Sequence, residues 1–197
     1  MIARNVLFGG TFDPVHNAHI EIARAAADRF SLERVLFVPA HNPPHKRHGA
    51  QASYEDRVRM CELACAGEGR FEVSRIEQGS KQSYSILTVE KILTAGWGPL
   101  GFLIGGDAFR EIQTWHRWRE LIRLVEFIVV SRPDAVYATP EGARVHELTG
   151  LYLPVSSSEI RLRLARGDGH VPVPDAVLAW IRGRHLYQEP ETRSQVF

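Results

Sequence analysis

The chain has 197 residues, a length at which one domain buries roughly 70% of the surface its unfolded chain exposes. Lys and Arg number 24 against 23 Asp and Glu, a net charge of +1, which argues against a general nucleic-acid or anionic-membrane surface and makes any basic site local. No apolar run reaches the roughly 18 residues of a membrane span, and the first strand begins too early for a secretory leader, so the expectation is a cytoplasmic protein acting on small molecules.

The first apolar run, residues 4–8, reads as a strand and leads into GGTFDPVHNAH, residues 9–19. Gly9 and Gly10 allow a tight turn and close approach of a ligand, and a helix starting near Pro14 to Asn17 offers unpaired N–H groups to anions. His16 and His19, three apart, then share one side of its first turn. Ile20, Ala23, Ala27 and Phe30 form the apolar stripe of that helix.

A second strand spans 34–38 and is followed by Pro43-Pro44-His45-Lys46-Arg47, where Lys46 suits a phosphate or is simply a solvated cation. His41, His45 and His48 have helix-face spacing, but the two prolines oppose a helix and with it a metal cluster. Tyr54, Val58, Cys61 and Cys65 trace a buried helix face, which makes the only two cysteines core thiols.

After a strand at 71–74, a helix is expected from Tyr84 to Thr94, ended by Gly96-Trp97-Gly98-Pro99. The strand at 101–104 runs into Gly105, Gly106 and Asp107, whose carboxylate suits a ribose, magnesium-bound water or a helix N-cap. Trp115 and Trp118 flank His116 and Arg117, and each indole is either core or a platform for a planar ring. A strand at 125–130 precedes Arg132, and a last strand is expected at 151–154. Ser156, Ser157 and Ser158 then open a helix carrying Arg161, either as caps or as phosphate ligands.

Strands alternating with helices give an α/β, Rossmann-like doubly wound parallel sheet, with a small helical region closing the chain. In such sheets ligands bind beyond the carboxyl ends of the strands where strand order reverses. Four groups of anion-seeking residues fall at such ends, while no Ser or Cys is set up as a nucleophile.

GGTFDPVHNAH resembles the (H/T)xGH signature of the adenylyl- and cytidylyltransferase superfamily, and VSSSEIR resembles its second signature, ISSTxIR. Within it, His16, the Pro-Pro-His-Lys loop, Ser83-Tyr84-Ser85, the Thr-Trp-His-Arg-Trp segment and the ending from Trp180-Ile181 to Leu186-Tyr187 resemble the bacterial nicotinate-nucleotide adenylyltransferases, over about residues 4 to 187. The resemblance implies a single nucleotidyltransferase domain over 1–197, with 154–187 as the helical part carrying the second signature. It also implies transfer of the adenylyl group of ATP to nicotinate mononucleotide, giving deamido-NAD and pyrophosphate, with magnesium, in NAD biosynthesis.

By position, the resemblance assigns His16, His19, Lys46 and Arg161 to catalysis. Gly9, Gly10, Thr11, Phe12, His16, His19, Arg132, Ser157, Ser158 and Arg161 would hold ATP. Lys46, Ser85, Gly105, Asp107, Trp115 and His116 would hold the acceptor. No residue is assigned as a direct metal ligand; magnesium would ride on the ATP phosphates, bridged by water to Asp107. Two positions depart from the family pattern, Ala18 for glycine and Ser85 for threonine. A sister transferase taking nicotinamide mononucleotide or phosphopantetheine, and a non-catalytic nucleotide-binding module, are the alternatives. Homo-oligomer formation is left open.

Overall fold

The computed structural model describes residues 2–43, 50–131, 137–151 and 153–188. Six parallel strands, β1 (Asn5–Gly10), β2 (Arg34–Pro39), β3 (Phe71–Val73), β4 (Leu100–Gly105), β5 (Val125–Val130) and β6 (Arg144–Leu148), lie in the order β3-β2-β1-β4-β5-β6. Strand order reverses between β1 and β4, which opens a crevice beyond their carboxyl ends. No helix among the described residues is long and apolar enough to cross a membrane.

Strand residues alternate between two apolar layers, as the two-residue period requires. Val6, Phe8, Val35 and Phe37 face α1 (Asn17–Phe30), α2 (Tyr54–Cys65), α6 (Ser157–Ala165) and α7 (Asp175–Gly183). Leu7, Leu36 and Val38 face α3 (Ser85–Thr94), the short α4 (Gly106–Arg110) and α5 (Trp118–Leu124). Each fully buried Leu, Val or Phe contributes about 1.5–3 kcal/mol of transfer free energy, so both faces of the sheet must be covered. Cys61 and Cys65 are free, buried thiols on α2, in the first of these layers, and burial pushes Cys65 up to about 12.

Two expectations are corrected. The sixth strand is Arg144–Leu148, not 151–154. Among the described residues it is an edge strand paired only with β5, so Arg144, His146 and Glu147 are tolerated there and no apolar run marks it. Leu151, Leu153 and Val155 instead line a cavity. In addition, Gly9 and Gly10 lie within β1, opposite Val38 and Pro39, and the chain reverses after them. Their use is close approach: a Cβ on Gly10 would stand 2.9 Å from the Phe12 ring, and Gly9 is exposed at the crevice.

Candidate active site

Two cavities of about 320 and 310 Å³ flank the carboxyl ends of β1 and β4, sharing Phe8 and Gly105 as their common rim. Each lies at the lower end of the range for small-molecule sites. The first runs between α1 and β5 and is lined by His16, Ala18, His19, Ile22, Asp107, Leu151, Leu153 and Val155, among others. The second opens toward β2 and α3 and is lined by Gly9, Gly10, Thr11, Tyr84, Ser85, Trp115 and His116, among others.

His16 is the N-cap of α1 and His19 stands one turn on, so the helix start carries both imidazoles. Their rings stack with centroids 3.7 Å apart and planes at 23°. The backbone N–H of His16 donates to His19 Nδ1 at 3.2 Å. That bond leaves the ring proton of neutral His19 on Nε2, an assignment made from the hydrogen bond. His16 Nδ1 is buried without a partner. Burial pushes His16 down to about 4, and burial followed by repulsion from His16 holds His19 well below the ordinary imidazole value. Without a ligand both rings are neutral at pH 7, poised as donors for an anion that would raise their affinity for protons.

Phe12 takes a left-handed backbone, φ 50°, and buries its ring edge-on against His19 at 5.0 Å. It supports the histidine from below and does not line either cavity, unlike Gly9, Gly10 and Thr11.

The second signature reaches the same turn from the other side. Ser156 caps α6 by accepting the Glu159 N–H at 3.2 Å, and Ser157 Oγ donates to the Pro14 carbonyl at 3.0 Å. Arg161 donates to the Asp13 carbonyl at 2.7 Å and to Ser158 Oγ at 3.3 Å, while its Nε is buried without a partner. Arg161, Ser157 and Ser158 therefore abut the turn from behind rather than lining either cavity. Lys46 and Arg132, with His45 and His48, lie outside the described residues.

Ser85 is the first residue of α3, so its hydroxyl and the helix N-terminus face the second cavity. Trp115 is half-buried and edge-on to Phe102, and the exposed His116 lays its ring 4.4 Å from that of Tyr84. Trp115 and Trp118 both pack against the second apolar layer, but only Trp115 reaches the cavity. Asp107 is not an N-cap: Gly105 holds that place in α4, and the Asp107 side chain is 83% exposed, 3.6 Å from Arg110. Gly105 carries nothing within 4 Å of a would-be Cβ, which leaves the rim between the cavities open.

Three residues to which sequence reasoning gave no role hold this arrangement together. Asp13, 1% exposed, accepts N–H bonds from Gln51 and Ala52 at 2.8 and 3.1 Å and the Tyr187 hydroxyl at 2.8 Å. Arg57 donates to the carbonyls of Thr11 and Ala40, both at 2.7 Å. Asp13 left a signal as an acid inside the glycine motif, and Tyr187 as part of the ending that carries the family resemblance. Arg57 stands next to a stripe position of an apolar helix face, and Tyr187 lies beyond the last helix.

The family model described as cytidylyltransferase-like matches residues 7–163. A probable nicotinate-nucleotide adenylyltransferase from Solibacter usitatus is 54% identical over 184 residues, covering 92% of this chain and 97% of that protein. The chain belongs to the nicotinate-nucleotide adenylyltransferase family. A further relative of that name, from Pseudomonas aeruginosa, is 38% identical over 93% of this chain and 97% of its own length. The solved structure of Plasmodium falciparum nicotinic acid mononucleotide adenylyltransferase complexed with NaAD shares the fold, with a TM-score of 0.71 at 18% identity, over 93% of this chain and 97% of that one. In this nicotinate-nucleotide adenylyltransferase family member, both signatures converge on the turn after β1.

Proposed function

We propose that this enzyme transfers the adenylyl group of ATP to nicotinate mononucleotide, releasing pyrophosphate and forming deamido-NAD for NAD biosynthesis. The single observation that carries the reading is the pair of cavities meeting at Phe8 and Gly105, with the His16–His19 pair opening into one of them. Two nucleotides placed there bring their phosphates together beside that pair. ATP takes the cavity whose wall is Ala18, Ile22, Leu151, Leu153 and Val155, an apolar surface suited to adenine. The acceptor takes the other, its pyridine ring against Trp115 and its carboxylate toward Ser85 and the His116 backbone.

The acceptor phosphate, with a second pKa near 6, is already ionised at neutral pH, so no general base is required. Its oxygen attacks the α-phosphorus of ATP, the bond from that phosphorus to the bridging oxygen breaks, and pyrophosphate leaves with the electron pair. His19 donates from Nε2 to the α-phosphoryl oxygens, His16 stands beside it, Lys46 and Arg132 are the cations for the remaining phosphate oxygens, and Arg161 with Ser157 and Ser158 braces the turn that carries the histidines. Catalysis is alignment and charge stabilisation.

Exposed Asp107 sits at the mouth of the first cavity. Its carboxylate fits magnesium carried on ATP phosphates and bridged to it by water, where the ion would neutralise phosphate charge. In this reading the chain is one cytoplasmic nucleotidyltransferase domain over 1–197. Incubation with ATP and nicotinate mononucleotide should yield deamido-NAD and pyrophosphate in equal amounts by mass spectrometry. Nucleotide binding without either product would instead mean a catalytically silent module.

A further inference from the structure

Arg57 heads the fully enclosed side chains by size, at 1% exposed. Besides Thr11 and Ala40, its guanidinium donates to the carbonyls of Ala52 at 3.3 Å and His41 at 3.4 Å. No carboxylate among the described residues comes within 4.0 Å of it. Asp13, the acid that acts on it most strongly, is itself engaged by two backbone N–H groups and the Tyr187 hydroxyl.

Carbonyl oxygens solvate a guanidinium but do not cancel its charge, and Arg stays ionised in proteins. A buried cation with no carboxylate in contact is costly, and burial draws Arg57 below its ordinary value even though Asp13 acts in the opposite direction. Two of its four acceptors, Thr11 and Ala40, belong to the lining of the acceptor cavity. The charge therefore lies one peptide unit behind that wall.

We propose that Arg57 is a positioning residue for the acceptor phosphate: from behind the Thr11 and Ala40 wall it supplies a buried positive charge, offset by Asp13 only from beyond 4.0 Å, that attracts the phosphate dianion without touching it. This rests on the acceptor reading above and adds a residue to it. A partly screened unit charge just behind a cavity wall is worth on the order of tenfold in affinity for a dianion, and close to nothing for an uncharged group.

The test compares wild type, R57K and R57Q by titration calorimetry with nicotinate mononucleotide and with nicotinate riboside, which lacks only the phosphate. R57Q should lose about tenfold in mononucleotide affinity and less than threefold in riboside affinity. R57K, which keeps the charge but loses most of the carbonyl bonds, should hold mononucleotide affinity within about threefold. Equal losses for both ligands in R57Q would reduce Arg57 to scaffolding and overturn the proposal. So would a tenfold mononucleotide loss in R57K, which decides the matter even if R57Q fails to fold. Wild-type turnover of nicotinate mononucleotide is the separate control: its absence would strike at the acceptor reading, not at Arg57 alone.

Discussion

Acidification from pH 7.5 to 5 should destabilise the ligand-free enzyme through its stacked histidines. His16 titrates near 6.5 when unfolded and about 4 when folded, so between those values the unfolded chain binds more protons. A histidine lowered in this way leaves stability intact above pH 6.5 and removes it progressively as the pH falls toward 4. At pH 5 the shift of His16 alone corresponds to a loss of about 2 kcal/mol, with about 3 kcal/mol as its limit at lower pH. His19 is lowered in the same direction and adds to the loss. For a domain of this size, 2 kcal/mol lowers Tm by roughly 4–8 °C. Thermal melts at pH 7.5 and 5 should show that drop in wild type and a much smaller one in the His16→Asn/His19→Asn double variant. ATP should diminish the wild-type drop, because its phosphates favour the protonated rings. An equal drop in both proteins would refute the neutral, desolvated pair.

Replacing His19 by Ala should lower kcat by roughly a hundredfold or more with a smaller change in ATP affinity, as steady-state kinetics would show; near-normal kcat would remove His19 from the transition state. Trp115→Ala should raise the KM for nicotinate mononucleotide roughly tenfold and leave that for ATP within about twofold, and equal shifts for both substrates would contradict ring stacking. Tyr187→Phe deletes a donor to buried Asp13 at 2.8 Å and should cost roughly 1.5–3 kcal/mol in urea unfolding, whereas an unchanged midpoint would mean the bond contributes nothing.

The sheet was legible wherever a strand is buried on both faces. The runs in β1, β2, β4 and β5 are nearly continuous apolar stretches, and their helices carry clear 3.6-residue stripes. β6 escaped because an edge strand needs few apolar residues, and 151–154 misled because cavity walls are apolar too. Side chains that reach the cavities, such as His16, His19, Ser85 and Trp115, announced themselves by residue type beside a strand end. Asp13, Arg57 and Tyr187 were given no role, because partners such as Gln51 for Asp13, Thr11 for Arg57 and Asp13 for Tyr187 lie 38, 46 and 174 positions away along the chain, and only the folded backbone brings them together. The roles of Asp107 and Phe12 shifted for the opposite reason: local patterns fit a cap and a turn lining, while packing put one carboxylate into solvent and one ring under His19.

The most direct test of the acceptor assignment is kcat/KM from a coupled pyrophosphate-release assay, measured in parallel with nicotinate mononucleotide and nicotinamide mononucleotide. With the acceptor carboxylate set at Ser85 and the start of α3, the acid should be the better substrate. Equal efficiency, or a preference for the amide, would contradict that placement.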